Sequence, residues 1–148
     1  MSKEPKFYCL FPTPIYESNI ERHFTKEELD YVKECELDIY TNAGNTTSNN
    51  KYILENPSMK NIKDFAEKHV NVYIDKIQVP SEEVYPYITQ SWINFTSPGQ
   101  YHHKHSHPNS FISGIIYFHA TGDKDRITFY NPRNDYIRSE STRLNSSH

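Results

Sequence analysis

Residues 102–118 read HHKHSHPNSFISGIIYF, four histidines within six positions followed at once by a run of strand-forming side chains. Half of the eight histidines of the chain lie in this stretch. Imidazoles gather in this way chiefly where a transition metal or an acid–base site needs them. The first candidates for a functional site are therefore the four members of this histidine cluster, His102, His103, His105 and His107.

The spacing inside the histidine cluster predicts which rings can share an ion. Residues two apart on an extended strand project to the same side, so His105 and His107 can reach one metal while Ser106 faces away. His103 and His105 satisfy the same rule, which leaves the register open by two residues. Neutral imidazoles suit iron, zinc, copper or nickel rather than magnesium or calcium. A solvated histidine-rich loop with adventitious metal binding is the alternative.

The rest of the chain predicts helices first and short strands afterwards. Thr25 and Glu28 form a capping-box pattern at the start of one helix, and Pro80 ends a second helix that Ser58 would cap. Alternating side chains and turn residues then favour strands, which together indicate a sheet or barrel flanked by helices. The predicted elements are a strand at 7–11, a helix at 26–40, a polar loop at 42–50, a helix at 58–77, and strands at 87–96, 111–119 and 126–130.

Composition limits the classes of partner. The chain has 148 residues, which suits one domain, and its net charge of −3 with no long basic run does not suggest nucleic-acid binding. Cys9 and Cys35 are expected to be reduced thiols in a cytosolic protein. The N-terminus is charged and no apolar run approaches bilayer length, so neither a signal peptide nor a membrane partner is expected. The oligomeric state stays open.

A wider pattern resembles a known family. The blocks SWINF at 91–95, PGQY at 98–101, HSHPNS at 105–110 and SGIIYF at 113–118 occur in this order. They resemble the 2-oxoglutarate- and iron(II)-dependent oxygenases. The pattern looks most similar to the small oxygenases common in bacteriophage and marine bacterial genomes, which open with a segment like LFPTPIY at 10–16. The resemblance covers most of residues 7–133.

The resemblance implies an α+β fold whose core is a double-stranded β-helix, or jelly-roll, with N-terminal flanking helices and an incomplete C-terminal part. It implies an iron(II) site in which His105 is the first ligand and His107 stands where the family usually has a carboxylate. The expected cosubstrate is 2-oxoglutarate, which is decarboxylated to succinate while a substrate C–H bond is hydroxylated. The substrate is a small molecule or a peptidyl side chain that the sequence does not identify.

Two further residues are candidates for cosubstrate binding. Tyr117 matches the family tyrosine that hydrogen-bonds the distal carboxylate of 2-oxoglutarate, and ordinary barrel core is the alternative for this ring. Asn94 shares one face of its predicted strand with Trp92, and a buried amide there must find a polar partner. Trp92 is expected to belong to the core.

The end of the sequence departs from the family. A late histidine and a following arginine or lysine are expected in the family, and neither stands in a matching place after residues 131–133. The ending STRLNSSH at 141–148 resembles a translated sequencing-adaptor read-through, with a plain polar tail as the alternative. We therefore expect residues 1–138 to be a partial oxygenase domain, 139–148 to be a non-native or disordered tail, and the chain as written to bind metal weakly without turnover.

Two other functions fit clustered histidines. One is a cupin-like metalloenzyme without oxygenase chemistry, or a structural zinc protein. The other is a non-enzymatic phage interaction protein with a jelly-roll fold and coincidental histidines. An iron titration with a 2-oxoglutarate decarboxylation assay separates the first alternative from an oxygenase. Metal analysis, together with the change in melting temperature on adding iron, tests the second.

Overall fold

The structure is a computed structural model that describes residues 13–121 and 125–130. It divides into two compact units, Met1–Gly114 and Ile115–His148. The strand predicted at 7–11, Cys9, the family block at 131–133 and the tail predicted at 139–148 lie outside the described residues. In the second unit the described residues form neither helix nor strand, and both the amide and the hydroxyl of Thr121 donate to Asp125 at 2.6 Å.

The first helix, α1, spans Lys26–Cys35 and begins as predicted. The Thr25 hydroxyl accepts from the Glu28 amide at 3.2 Å, and the Glu28 carboxylate accepts from the Thr25 amide at 2.8 Å. The helix ends five residues before the predicted limit of residue 40. Beyond Cys35 the chain enters a strand, whose backbone groups gain partners across a hairpin instead of along a helix.

A β-hairpin replaces the polar loop predicted at 42–50, and that prediction was wrong. Strand β1, Ile39–Asn42, pairs antiparallel with β2, Asn45–Ser48, in the register Ile39↔Ser48 to Asn42↔Asn45. The residues of β2 are polar yet largely buried, because the Thr47 hydroxyl donates to the Ile93 carbonyl and the Ser48 hydroxyl to that of Asn50. Apolar alternation could not reveal a strand whose buried side chains are satisfied by hydrogen bonds.

The predicted strand at 87–96 is reduced to β3, Asn94–Phe95, which pairs antiparallel with β2. The sheet order is β1-β2-β3. Residues 111–119 and the described residues 126–130 are not strands, and the described residues form one three-stranded sheet, so the predicted jelly-roll core is not confirmed. Alternation alone does not make a strand, since each strand requires a hydrogen-bonded neighbour. The coarser α+β prediction agrees with the mixture of helices and a small antiparallel sheet.

The second helical stretch agrees closely with the helix predicted at 58–77. It comprises a 3₁₀ turn at Pro57–Met59, helix α2 at Lys60–Tyr73 and a π-helical turn at Ile74–Gln78. A further 3₁₀ turn, Ile53–Glu55, precedes it. The cap is Asn56 rather than the predicted Ser58, because the Asn56 side-chain oxygen accepts from the Ser58 amide at 2.9 Å.

The core of the first unit joins the helices to the sheet. Met59 and Ile62 are completely buried, and Ile93, beside β3, is 8% exposed. The other buried apolar side chains are Tyr31, Cys35, Ile53 and Ile74. Among the described residues, no helix combines the length and apolar character that a bilayer crossing requires.

Candidate metal centre

The histidine cluster is fixed to the turn of the hairpin. The Tyr101 amide donates to the Gly44 carbonyl at 3.1 Å, immediately before His102. Gly44 has a φ of 91°, and a Cβ there would collide with the Tyr101 carbonyl oxygen and lie 3.0 Å from its ring carbon Cε2. Only glycine combines this backbone conformation with such a close approach. The hairpin turn therefore sets where the histidine segment begins.

His105 and His107 converge as the spacing predicts. Their Nε2 atoms lie 2.8 Å apart. Two ligands bound at right angles to one ion at about 2.1 Å are separated by about 3.0 Å, so this spacing is close to that of a metal-bound pair. The prediction that they are ligands is not tested by this geometry, but the rings need little movement to share an ion.

The remote nitrogens of the two rings also have suitable partners. His105 Nδ1 lies 2.8 Å from the His103 carbonyl oxygen, and His107 Nδ1 lies 3.1 Å from the Ser113 hydroxyl. A carbonyl can only accept, so His105 donates through Nδ1 and keeps the Nε2 lone pair, which then accepts from the His107 Nε2–H. A metal shared by the two rings would replace this hydrogen, and the His107 proton would move to Nδ1 beside the Ser113 hydroxyl. Metal-bound histidines usually hold their second nitrogen in this way, which fixes the ring and its tautomer.

His102 and His103 extend the cluster beyond the predicted pair. The nitrogens of His102, His103 and His105 include a set that all lie within 4.8 Å of one another, and this set contains only imidazoles. His102 Nδ1 lies 3.0 Å from the side-chain nitrogen of Asn45 in β2. The alternative register, with His103 and His105 on one ion, therefore also remains open.

Two rings of the cluster, those of His102 and His107, have a lowered pKa. Burial, followed by the neighbouring rings of His105, His103 and His107, lowers the pKa of His102. Burial and the His105 ring likewise lower the pKa of His107. Since a metal binds the unprotonated nitrogen, a lowered pKa reduces the competition between protons and the metal.

The ring of Trp92 lies beside His107. The Trp92 ring centroid lies 5.6 Å from that of His107, and the Lys51 ammonium lies 5.8 Å from the Trp92 ring centroid. Trp92 is half-buried, so it flanks the candidate centre rather than filling the core. Three neighbours of the cluster are not predicted by the sequence pattern, namely Asn45, Gly44 and Ser113. The turn signal at residues 42–45 could have revealed the hairpin, although not its contact with residue 101.

The two predicted cosubstrate contacts stay predictions. Asn94 is exposed in β3, where it pairs with Thr47. Tyr117 belongs to the second unit, and 47% of it is exposed. Two surface pockets of about 540 and 370 Å³ lie along the end of α2 and the chain after it. Among the described residues, no histidine lines either pocket. They are therefore not part of the candidate metal centre.

Comparison with known families supports the resemblance seen in the sequence. Residues 90–148 match the model of a family described as "Putative 2OG-Fe(II) oxygenase". No curated protein and no solved structure matches the chain. The matched region contains the whole histidine cluster, so the superfamily is supported for the part of the chain that carries the candidate centre. The narrower resemblance to phage and marine bacterial oxygenases stays a prediction.

Proposed function

We propose that the protein is an iron(II)- and 2-oxoglutarate-dependent dioxygenase that hydroxylates a small molecule or a peptidyl side chain. The observation that carries the proposal is the family match over residues 90–148, within which His105 and His107 turn their Nε2 atoms toward each other. Neither observation identifies the substrate. The cupin-like, structural-zinc and non-enzymatic alternatives are separated from this proposal by the experiment below.

The described residues supply two of the ligands that an iron(II) site needs. His105 and His107 can occupy two adjacent positions, and imidazole nitrogen is a common ligand of iron(II). The close donor group formed by the described residues contains no carboxylate oxygen, whereas non-haem oxygenases commonly use two histidines and one carboxylate. We propose that His107 replaces the carboxylate, which leaves the bound ion more positive.

The protein's own groups would orient and shield the reaction. When bound, iron(II) with 2-oxoglutarate supplies the oxidative decarboxylation that is coupled to hydroxylation. The His103 carbonyl and the Ser113 hydroxyl hold the two rings with their Nε2 atoms directed inward. Trp92 shields one side of His107 from water. Tyr117 and Asn94 are the proposed contacts of the cosubstrate.

The proposal is tested by anaerobic titration of the full chain with iron(II), followed by 2-oxoglutarate. We expect weak iron binding that saturates at one iron per chain, and a visible charge-transfer absorption when the keto acid chelates the ion. His105→Ala and His107→Ala should each weaken iron binding by at least about 10-fold and abolish this absorption. His23→Ala, which removes an exposed imidazole outside the cluster, is the matched control.

Succinate formation from 2-oxoglutarate in air is the second readout. Iron binding without any effect of the keto acid would favour a cupin-like metal protein. Substoichiometric metal with an unchanged melting temperature on adding iron would instead favour a non-enzymatic interaction protein. Either result would contradict the oxygenase proposal.

A further inference from the structure

The histidine cluster contains a second grouping, which shares only His105 with the iron pair. The ring centroids of His102, His103 and His105 form a nearly equilateral triangle, with separations of 5.1, 4.7 and 4.9 Å. Nitrogen atoms from the three rings lie within 4.8 Å of one another. Tetrahedral ligands at about 2.1 Å from one ion are about 3.4 Å apart, so the three rings would have to close in by about 1 Å to share an ion.

Two buried polar atoms belong to a member of the triangle and to a neighbour of the triangle. Asn45 is 2% exposed, and its side-chain oxygen has no hydrogen-bond partner among the described residues. His103 Nδ1 is also buried there without a partner. An unsatisfied buried polar atom costs about 1–3 kcal/mol, so each calls for a physical explanation. A metal ion bound by the triangle could take His103 Nδ1 as a ligand. It would also polarise His102, whose Nδ1 contacts Asn45.

We infer that His102, His103 and His105 form a three-imidazole site for a borderline divalent transition metal such as Zn(II), with Asn45 as the outer hydrogen-bond partner of His102. Three neutral nitrogen ligands with a fourth position open to solvent are a known arrangement for zinc. Nitrogen sites generally bind Zn(II) more tightly than Fe(II). His102 and His105 are exposed, so their rings can rotate inward without disturbing the core.

Asn45 is placed to orient the site from the sheet. Its side-chain nitrogen contacts both His102 Nδ1 at 3.0 Å and the Thr96 hydroxyl at 3.3 Å. The two ends of an amide have nearly the same shape, so a half-turn would present the oxygen to His102 instead. In that orientation His102 donates through Nδ1 and directs Nε2 to the metal, as outer-shell partners of metal-bound histidines usually require.

His105 belongs to both groupings, so binding of one metal would affect binding of the other. Zn(II) held by the triangle and Fe(II) held by His105 and His107 would compete for the same ring. The triangle itself rests on the positions of His102 and His103 and holds whether or not the protein is an oxygenase. Zinc inhibition of iron binding is the part that depends on the proposed function.

The test is a competition titration of the full chain with Zn(II) alone against a chromophoric chelator. We expect His102→Gln and His103→Gln each to weaken Zn(II) binding by at least about 10-fold, and Asn45→Ala by about 10-fold. His107→Gln and His23→Gln should change it by less than about threefold, since neither belongs to the triangle. Circular dichroism of each variant verifies that the fold is retained.

Two results would overturn the inference. One is wild-type Zn(II) affinity in folded His102→Gln; the other is His107→Gln weakening Zn(II) as much as His102→Gln does. The second result would assign zinc to the iron pair. Because iron(II) and 2-oxoglutarate are absent from this titration, failure here is distinguishable from failure of the oxygenase proposal. For Asn45→Ala, which alters a buried residue, the absorption spectrum of bound Co(II) provides a separate readout of the ligand geometry.

Discussion

The buried carboxylate of Glu28 both pairs with Arg22 and caps helix α1. It is completely buried, and its oxygens accept from the Arg22 guanidinium at 2.9 and 2.6 Å. The same carboxylate accepts from the Thr25 amide and so completes the cap of α1. A buried charge with this many donors is stabilising only while every donor remains in place.

We predict that Glu28→Gln lowers the free energy of unfolding by about 2 kcal/mol, because the amide cannot accept from both Arg22 nitrogens and the Thr25 amide. Urea denaturation measures the change. Glu27→Gln is the matched control, since Glu27 is an exposed carboxylate in the same helical turn. Equal effects of the two substitutions would contradict the assigned role of Glu28.

The same pair predicts a pH dependence. The hydrogen bonds from Arg22 lower the pKa of Glu28 in the folded protein, an effect that burial opposes. Because the folded pKa is below the unfolded value of about 4.3, the contribution is fully present above that value and is lost as pH falls through the folded pKa. The stability difference between wild type and Glu28→Gln should therefore shrink below about pH 4.

At the scale of elements, the β1–β2 hairpin supports the candidate centre. Its turn carries Gly44, which holds Tyr101, and β2 carries Asn45, which contacts His102. The cluster itself lies in an extended segment without ladder partners. Rigid strands position a site more accurately than a loop does, so the hairpin is expected to control how the rings are arranged.

We predict that Gly44→Ala destabilises the protein by roughly 1–3 kcal/mol, through its positive φ and its collision with Tyr101. It should also weaken Zn(II) binding, because Tyr101 directly precedes the cluster. Gly99→Ala is the matched control: Gly99 has a φ of 85°, but an added Cβ there meets nothing within 4 Å. Denaturation and zinc titration are measured for both variants. Both substitutions strain a positive φ, so a larger effect at Gly44 reports the collision of the added Cβ with Tyr101.

At the scale of the whole molecule, the described core is small and depends on a few side chains. Met59 and Ile62 are its completely buried apolar residues, and they lie where α2 begins. Ile53 and Ile93 belong to the same core, and the Ile93 backbone pairs with Ser48 of β2. Loss of packing near α2 is therefore expected to reach the sheet that supports the histidines.

We predict that Ile62→Ala costs about 2–4 kcal/mol of unfolding free energy, the usual cost of truncating a fully buried isoleucine. Leu37→Ala is the control and should change stability by less than about 0.5 kcal/mol, because Leu37 is 88% exposed. Thermal and urea denaturation give both values. A small effect at Ile62 would show that this packing contributes little to the stability of the unit.

The sequence alone determined the features that depend on neighbours along the chain. The capping box at Thr25 and Glu28 and the extent of the helical stretch around α2 follow from local spacing and hydrogen-bonding chemistry. These features need no distant partner, because the groups that interact are only two to four residues apart or share one helix.

Only the tertiary structure decided which alternating segments became strands and what surrounds the histidines. Strand β2 depends on partners far away in sequence, and so do the contacts of Gly44 with Tyr101 and of Asn45 with His102. The pattern at 111–119 has the composition of a strand but no ladder partner among the described residues. Contacts across about fifty residues are set by which backbone and polar groups meet in the folded chain, and local periodicity does not contain that information.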